Sequence, residues 1–153
     1  MVMTLPFEVG LVVRNLEVME RFYCDVLGCR AEHRSRVPAS VAGPAGLGGE
    51  LTAVWLRVPS GGCVKLILHR SAPVSAHVAA LPARRPGLSY ITFHVDDMGP
   101  VVAALPAAGA RPLSDPVVVQ AHGRRISFWA DPEGNVVELV DARGHDPVPG
   151  HSN

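Results

Sequence analysis

Apolar and polar positions along this chain fall into an order that occurs twice. The run Phe7-Glu8-Val9-Gly10-Leu11-Val12-Val13 is short, apolar and β-branched, which predicts a buried strand over 7–13. Asn15 then suits a helix N-cap. Leu16, Met19, Phe22, Tyr23, Val26 and Leu27 take helical spacing over 16–27, and Gly28 stands where a left-handed C-cap residue is wanted. The pattern returns at Ser89-Tyr90-Ile91-Thr92-Phe93-His94-Val95. Asp97 is the matching N-cap, and a helix over 99–108 carries Pro100 in its first turn and Pro106 near its end, before Gly109.

Between the two copies, 30–35 is polar and extended. Residues 37–49 are small and rich in Pro and Gly, which predicts a mobile loop over a site or at an edge. Residues 51–58 and 63–69 read as a hairpin around Pro59-Ser60-Gly61-Gly62. After the second helix come strands over 116–120, 124–130 and 135–141, with a turn at Asp131-Pro132-Glu133-Gly134-Asn135. Each half therefore reads β-α-β-β-β. The fold class is α+β, one compact domain of two tandem modules over 1–70 and 88–142, a Pro-rich linker over 71–87 and a disordered tail over 143–153. The repeat suggests a site between its two copies.

Composition narrows the classes of function. Hydrophobic residues make up 48% of 153, enough for a real core. Lys plus Arg is 14 and Asp plus Glu is 14, so the balance argues against nucleic acid or an anionic membrane as main partner. No apolar run reaches the ~18 residues of a membrane span, and the opening residues lack a signal-peptide pattern, so a cytoplasmic location is expected. Cys24, Cys29 and Cys63 are odd in number and without paired spacing, which predicts reduced thiols rather than a disulfide framework or zinc site.

The run Val9-Gly10-Leu11-Val12-Val13, followed by Phe22-Tyr23-Cys24-Asp25-Val26-Leu27-Gly28, resembles the opening of the vicinal oxygen chelate superfamily. That group includes glyoxalase I, methylmalonyl-CoA epimerase, extradiol dioxygenases, fosfomycin-inactivating transferases and bleomycin-resistance proteins. Phe128-Trp129-Ala130-Asp131-Pro132-Glu133-Gly134-Asn135-Val136-Val137-Glu138-Leu139 resembles its closing motif. The resemblance covers about residues 5–142 and implies two βαβββ modules, each curling a mostly antiparallel mixed sheet around a cavity, in a chain that commonly forms homodimers.

Many members hold a divalent metal on four side chains, two per module. Those positions fall on Glu8, Lys65, Tyr90 and Glu138 here. Only the closing Glu is kept. An ammonium offers no lone pair and repels a dication, and both usual imidazoles are missing. A hard ion on Glu8, Tyr90 and Glu138 is the remaining metal reading. The alternative needs no cofactor: Lys65 takes the metal's place and pairs with Glu8 and Glu138.

Strand alternation then extends the cavity set. Thr92 and His94 follow Tyr90, and Ile67 and His69 follow Lys65. His94 and His69 could move protons, and Tyr90 could donate to an oxyanion, or each could be an ordinary strand residue. Glu50 resembles in its place the catalytic carboxylate of methylmalonyl-CoA epimerase. Trp55 and Trp129 could stack on a flat ligand or pack in the core. Two functions follow. One is a metal-independent isomerase, lyase or cyclase acting on a small carbonyl compound, with Glu50 or His94 moving protons and Tyr90 and Lys65 stabilising negative charge. The other is a sequestering protein of the bleomycin-resistance kind. A metal-dependent glyoxalase or dioxygenase is the third reading.

Overall fold

The structure is a computed structural model in which residues 7–71, 87–115, 118–119 and 125–141 are described. Of the expected linker only Ser71 and Gly87 fall among them. The expected tail and most of the 116–120 strand lie outside. The chain divides into two compact units, Met1–Val78 and Ala79–Asn153.

Unit 1 contains strands β1 (Glu8–Val12), β2 (Arg30–Val37), β3 (Leu51–Arg57) and β4 (Cys63–His69), in the order β1-β4-β3-β2. β1 pairs parallel with β4, and the other pairs are antiparallel. Helix α1 (Leu16–Arg21) starts where Asn15 accepts the amide of Val18 at 3.1 Å, a side-chain N-cap. Leu16, Met19, Phe22 and Tyr23 are buried on the helical side, and Leu11, Val13, Val54, Leu56, Val64 and Leu66 on the sheet, with α1 against β4.

Unit 2 repeats the plan. It has β5 (Ile91–Val95), α3 (Met98–Ala104), β6 (Arg111–Pro112), β7 (Val118–Val119), β8 (Arg125–Ala130) and β9 (Val136–Asp141). Its sheet runs β5-β9-β8-β6, with β7 also on β8, and β5 is parallel to β9. Asp97 caps α3 through the amide of Gly99 at 3.1 Å. Met98 and Leu105 are buried, as are Phe93, Ser127, Trp129, Val137 and Leu139 on one face of the sheet. The architecture is α+β, two βαβββ modules in tandem.

Three elements differ from the sequence reading. The helix expected over 16–27 is α-helical only to Arg21 and continues as a π-helical turn, Phe22–Val26. The widened turn keeps Phe22 and Tyr23 both buried, their rings edge to face at 5.2 Å. β1 is not a buried strand. It lies at the edge of its sheet with one face covered, so only alternate residues such as Leu11 are buried. The 37–49 segment is not featureless, since it holds a short helix, α2 (Ala39–Ala42). Ala42 is fully buried against Leu51 and Ala53, with Val37, Trp55 and Ile67 packed around them.

Candidate functional site

Each sheet has one face covered by its main helix; the opposite face is open only in part, since in unit 1 Ala42 of α2 packs on it against Leu51 and Ala53, on the same side as Trp55. In unit 1 the register lays a row across all four strands on the open face: Gly10 opposite Lys65, Lys65 opposite Trp55, and Trp55 opposite His33. Glycine at position 10 leaves the space beside Lys65 clear on the β1 side. A Cβ there would meet only Ile67 Cδ1, at 3.4 Å. Lys65 Nζ is 3.0 Å from Glu8 Oε2 and lies over the Trp55 ring, 5.0 Å from its centroid. The Lys65 side chain is 29% exposed and that of Glu8 43%. The ammonium is thus held between a carboxylate and an aromatic face, the two partners that most favour a desolvated cation. His33 packs on the same indole at 5.0 Å between ring centroids.

His33 is absent from the expected site. A period-2 signal does not reach it, because the register shifts between Ala31 and His33 and the bulge resets the parity of a mostly polar strand. Reading β2 backwards from the β3 partner Trp55 would have found it.

His69 lies on the same face as Lys65 by alternation, at the end of β4. Its Nε2 faces the amide of Gly49 at 2.9 Å and its Nδ1 that of Ser71 at 3.1 Å. A neutral imidazole accepts at one nitrogen only, so the ring serves one of these amides at a time. It anchors the base of the 38–50 loop.

Glu50 is not brought to this row. Its Oε1 accepts from Arg36 Nε at 2.9 Å, and its Oε2 is 3.5 Å from Arg70 Nη1. Arg36 is in register with Thr52 and alternates away from His33 and Trp55, so the cluster stands on the opposite face from Lys65. The hydrogen bond from Arg36 holds the Glu50 carboxyl below the usual carboxylate range, with Arg70 adding to the effect.

In unit 2 the open-face row is Thr92, Glu138 and Phe128. Thr92 Oγ1 donates to Glu138 Oε2 at 2.6 Å. Tyr90, 42% exposed, meets Phe128 edge to face at 5.3 Å, and His94 is exposed opposite Val140. Phe128 is the second residue the sequence reading missed. Its tryptophan neighbour drew attention instead, yet Trp129 alternates to the covered face, is 2% exposed and donates Nε1–H to Ser127 Oγ at 2.7 Å. Trp129 is a core residue here, and Trp55 is the open-face indole.

The metal reading meets a poor donor set. Lys65 ties up Glu8, Thr92 donates to Glu138, and no group of three His, Cys, Asp or Glu among the described residues is placed to hold an ion.

The three cysteines are all free. Burial pushes the Cys29 thiol up to about 12, with Cys24 and Cys63 nearby adding to the rise, and burial raises those two as well. No helix of the described residues is long and apolar enough to cross a membrane.

A family model described as the glyoxalase/bleomycin resistance protein/dioxygenase superfamily matches residues 7–128. Among solved structures, a glyoxalase family protein from Bacillus cereus is 22% identical with a TM-score of 0.79, covering 91% of this chain and 94% of that one. A glyoxylase/bleomycin resistance protein/dioxygenase domain from Frankia sp. EAN1pec is 20% identical with a TM-score of 0.67, covering 93% and 92%. The trypanothione-dependent glyoxalase I of Leishmania major is 19% identical with a TM-score of 0.64, covering 88% and 84%. No curated protein matches the sequence. At these identities the structures establish the shared fold, and the family match establishes membership: the chain belongs to the glyoxalase/bleomycin resistance protein/dioxygenase superfamily.

Proposed function

We propose that this chain is a metal-independent enzyme of isomerase or lyase type, acting on a small carbonyl compound bound against the open face around Lys65. The observation that carries the reading is the ammonium of Lys65, 3.0 Å from Glu8 and 5.0 Å from the centre of the Trp55 ring. Such a group supplies, without a metal, the positive charge that a carbonyl oxygen needs as it becomes an enolate. Glu8 accepts the proton from the carbon beside the carbonyl. The C–H pair becomes the new C=C bond, the carbonyl π pair moves onto oxygen, and Lys65 stabilises that oxygen. In a β,γ-unsaturated carbonyl compound the enolate extends over the second C=C bond, and return of the proton from Glu8 to the far carbon of that bond completes an isomerisation. Trp55 and His33 supply a flat wall. Tyr90, Thr92, His94 and Glu138 give unit 2 a polar face of its own for ligand contact. Glu50, turned to the other face and clamped by two arginines, leaves the proton-moving role to Glu8.

The specific test is exchange of acetoacetate methylene protons into D2O, followed by proton NMR with EDTA present and corrected for the buffer rate. The reading expects exchange above background that Lys65→Met and Glu8→Gln each abolish. Exchange that needs an added divalent ion contradicts it.

The capture of Glu50 by Arg36 and Arg70 favours a second reading, a sequestering protein without turnover. It expects saturable quenching of Trp55 fluorescence by a ligand that is returned unchanged. Homodimer formation and a cytoplasmic location are part of the same proposal. The apolar side chains of Phe7 and Val12, 70% and 56% exposed at the β1 edge, support the first, and light scattering tests it.

A further inference from the structure

The covered face of the unit 1 sheet carries a second polar cluster that the open-face chemistry does not use. Arg36 near the end of β2, Glu50 just before β3 and Arg70 just after β4 meet at a cavity of about 410 Å³, with Thr52 and Leu68 in its wall. That volume is within the range of small-ligand pockets. Glu50 engages Nε and Nη2 of Arg36 and Nη1 of Arg70. A guanidinium carries five N–H donors, so most donors of Arg70 and several of Arg36 are not used by Glu50. Both arginine side chains are largely in solvent, 71% and 74% exposed. Two guanidiniums against one carboxylate leave one positive charge over.

The same sheet contains a second trio of this kind. Glu32 accepts from Arg57 Nε at 2.6 Å and from Arg30 Nη2 at 3.2 Å. Its charge balance is identical, but its residues do not line the cavity. Charge alone is therefore common to both trios, and the cavity with Leu68 in its wall distinguishes the first.

We propose that the Arg36–Glu50–Arg70 cavity binds a small organic monocarboxylate, its body against Leu68 and its carboxylate on the guanidiniums. Arginine forks match a carboxylate geometrically, and a single negative charge brings the trio to neutrality. A dianion such as phosphate would overshoot that balance and has no apolar body for the wall.

The test is a titration of the 15N-labelled full chain with sodium benzoate, followed by amide shifts at ~0.05 M salt, where exposed charges are only partly screened. The proposal expects saturable shifts at Thr52, Leu68 and Arg70. Arg70→Gln and Arg36→Gln should each weaken binding by roughly tenfold or more, as loss of a charge-assisted bond implies. Glu50→Gln should tighten binding, because it removes the competing carboxylate and keeps the shape. Arg57→Gln should leave binding unchanged, and inorganic phosphate should bind more weakly than benzoate. Shifts that do not saturate, or that spread equally to Glu32 and Arg57, overturn the proposal. So does a Glu50→Gln variant that binds more weakly than the wild type, or phosphate that binds more tightly than benzoate. The outcome is independent of catalysis at Lys65.

Discussion

The proposed function gives Lys65 the work that a bound ion would do. Lys65 carries one charge rather than two, and the surroundings match that smaller charge: one carboxylate at 3.0 Å and one indole face. Residue-scale chemistry elsewhere is equally local. Cys29 is buried and its thiol is pushed up to about 12, so almost no thiolate exists near neutral pH. Iodoacetamide at mildly alkaline pH should leave Cys29 unmodified in the folded chain and label it in urea, which peptide mass spectrometry reads directly. Asp131 is 3% exposed, and its Oδ1 accepts the amides of Glu133 at 3.0 Å and Asn135 at 2.9 Å. Its Oδ2 accepts Asn135 Nδ2 at 2.8 Å. Asp131→Ala leaves those donors without their acceptor and should cost ~1–3 kcal/mol in urea unfolding. The turn was legible in the sequence from Pro132 and Gly134. The acceptor role of Asp131 was not, because it depends on burial.

At the scale of elements, parity decides which residues can share a site. The β3–β4 hairpin was readable from its alternation and its Pro-Ser-Gly-Gly turn, and the open face containing Lys65 and Trp55 follows from it. Parity failed wherever a bulge or an irregular loop intervened. The bulge in β2 hid His33. The loop before β3 hid the facing of Glu50, which a single residue of phase sends to the opposite side. The π-helical turn has no periodic signal of its own. It emerges from packing Phe22 and Tyr23 together. The 38–50 loop also rests on a contact that only geometry reveals. Gly48 has φ +88°, and a Cβ built on it would come within 3.0 Å of His69 Nε2. Gly48→Ala should therefore strain the backbone and push the His69 ring from the Gly49 amide. Hydrogen exchange at Gly49 should accelerate, with core amides such as Leu66 unchanged.

At the scale of the whole molecule, repetition of one module accounts for the architecture, and the polar residues that break the repeat carry the proposed chemistry. Helix starts at Asn15 and Asp97, parallel pairs β1–β4 and β5–β9, and covered and open faces correspond between the units. The open-face rows do not correspond: Glu8, Lys65 and Trp55 in one, Thr92, Glu138 and Phe128 in the other. Two carboxylates paired with arginines, Glu32 on β2 and Glu50 beside Arg36 of β2, tie the fold to pH. Glu32 is held below the ordinary carboxylate range first by its bond from Arg57, then by Arg30, and Glu50 first by Arg36. Each lowered folded value means stability that is present above the unfolded carboxylate value and is lost as pH falls through the folded one. A Glu32→Gln/Glu50→Gln double variant should show a shallower loss of stability on acidification than the parent, read from thermal midpoints across the acid range. A parallel acid limb in both proteins would contradict this.

The most direct measurement on the proposal that Lys65 stands in for a family metal is elemental analysis of the chain purified without chelators. The account predicts only traces of Mn, Fe, Ni, Co and Zn per chain, and no gain in thermal midpoint on adding any of them. One tightly held equivalent of such an ion, lost together with its stabilising effect in Glu8→Gln or Glu138→Gln, would contradict it.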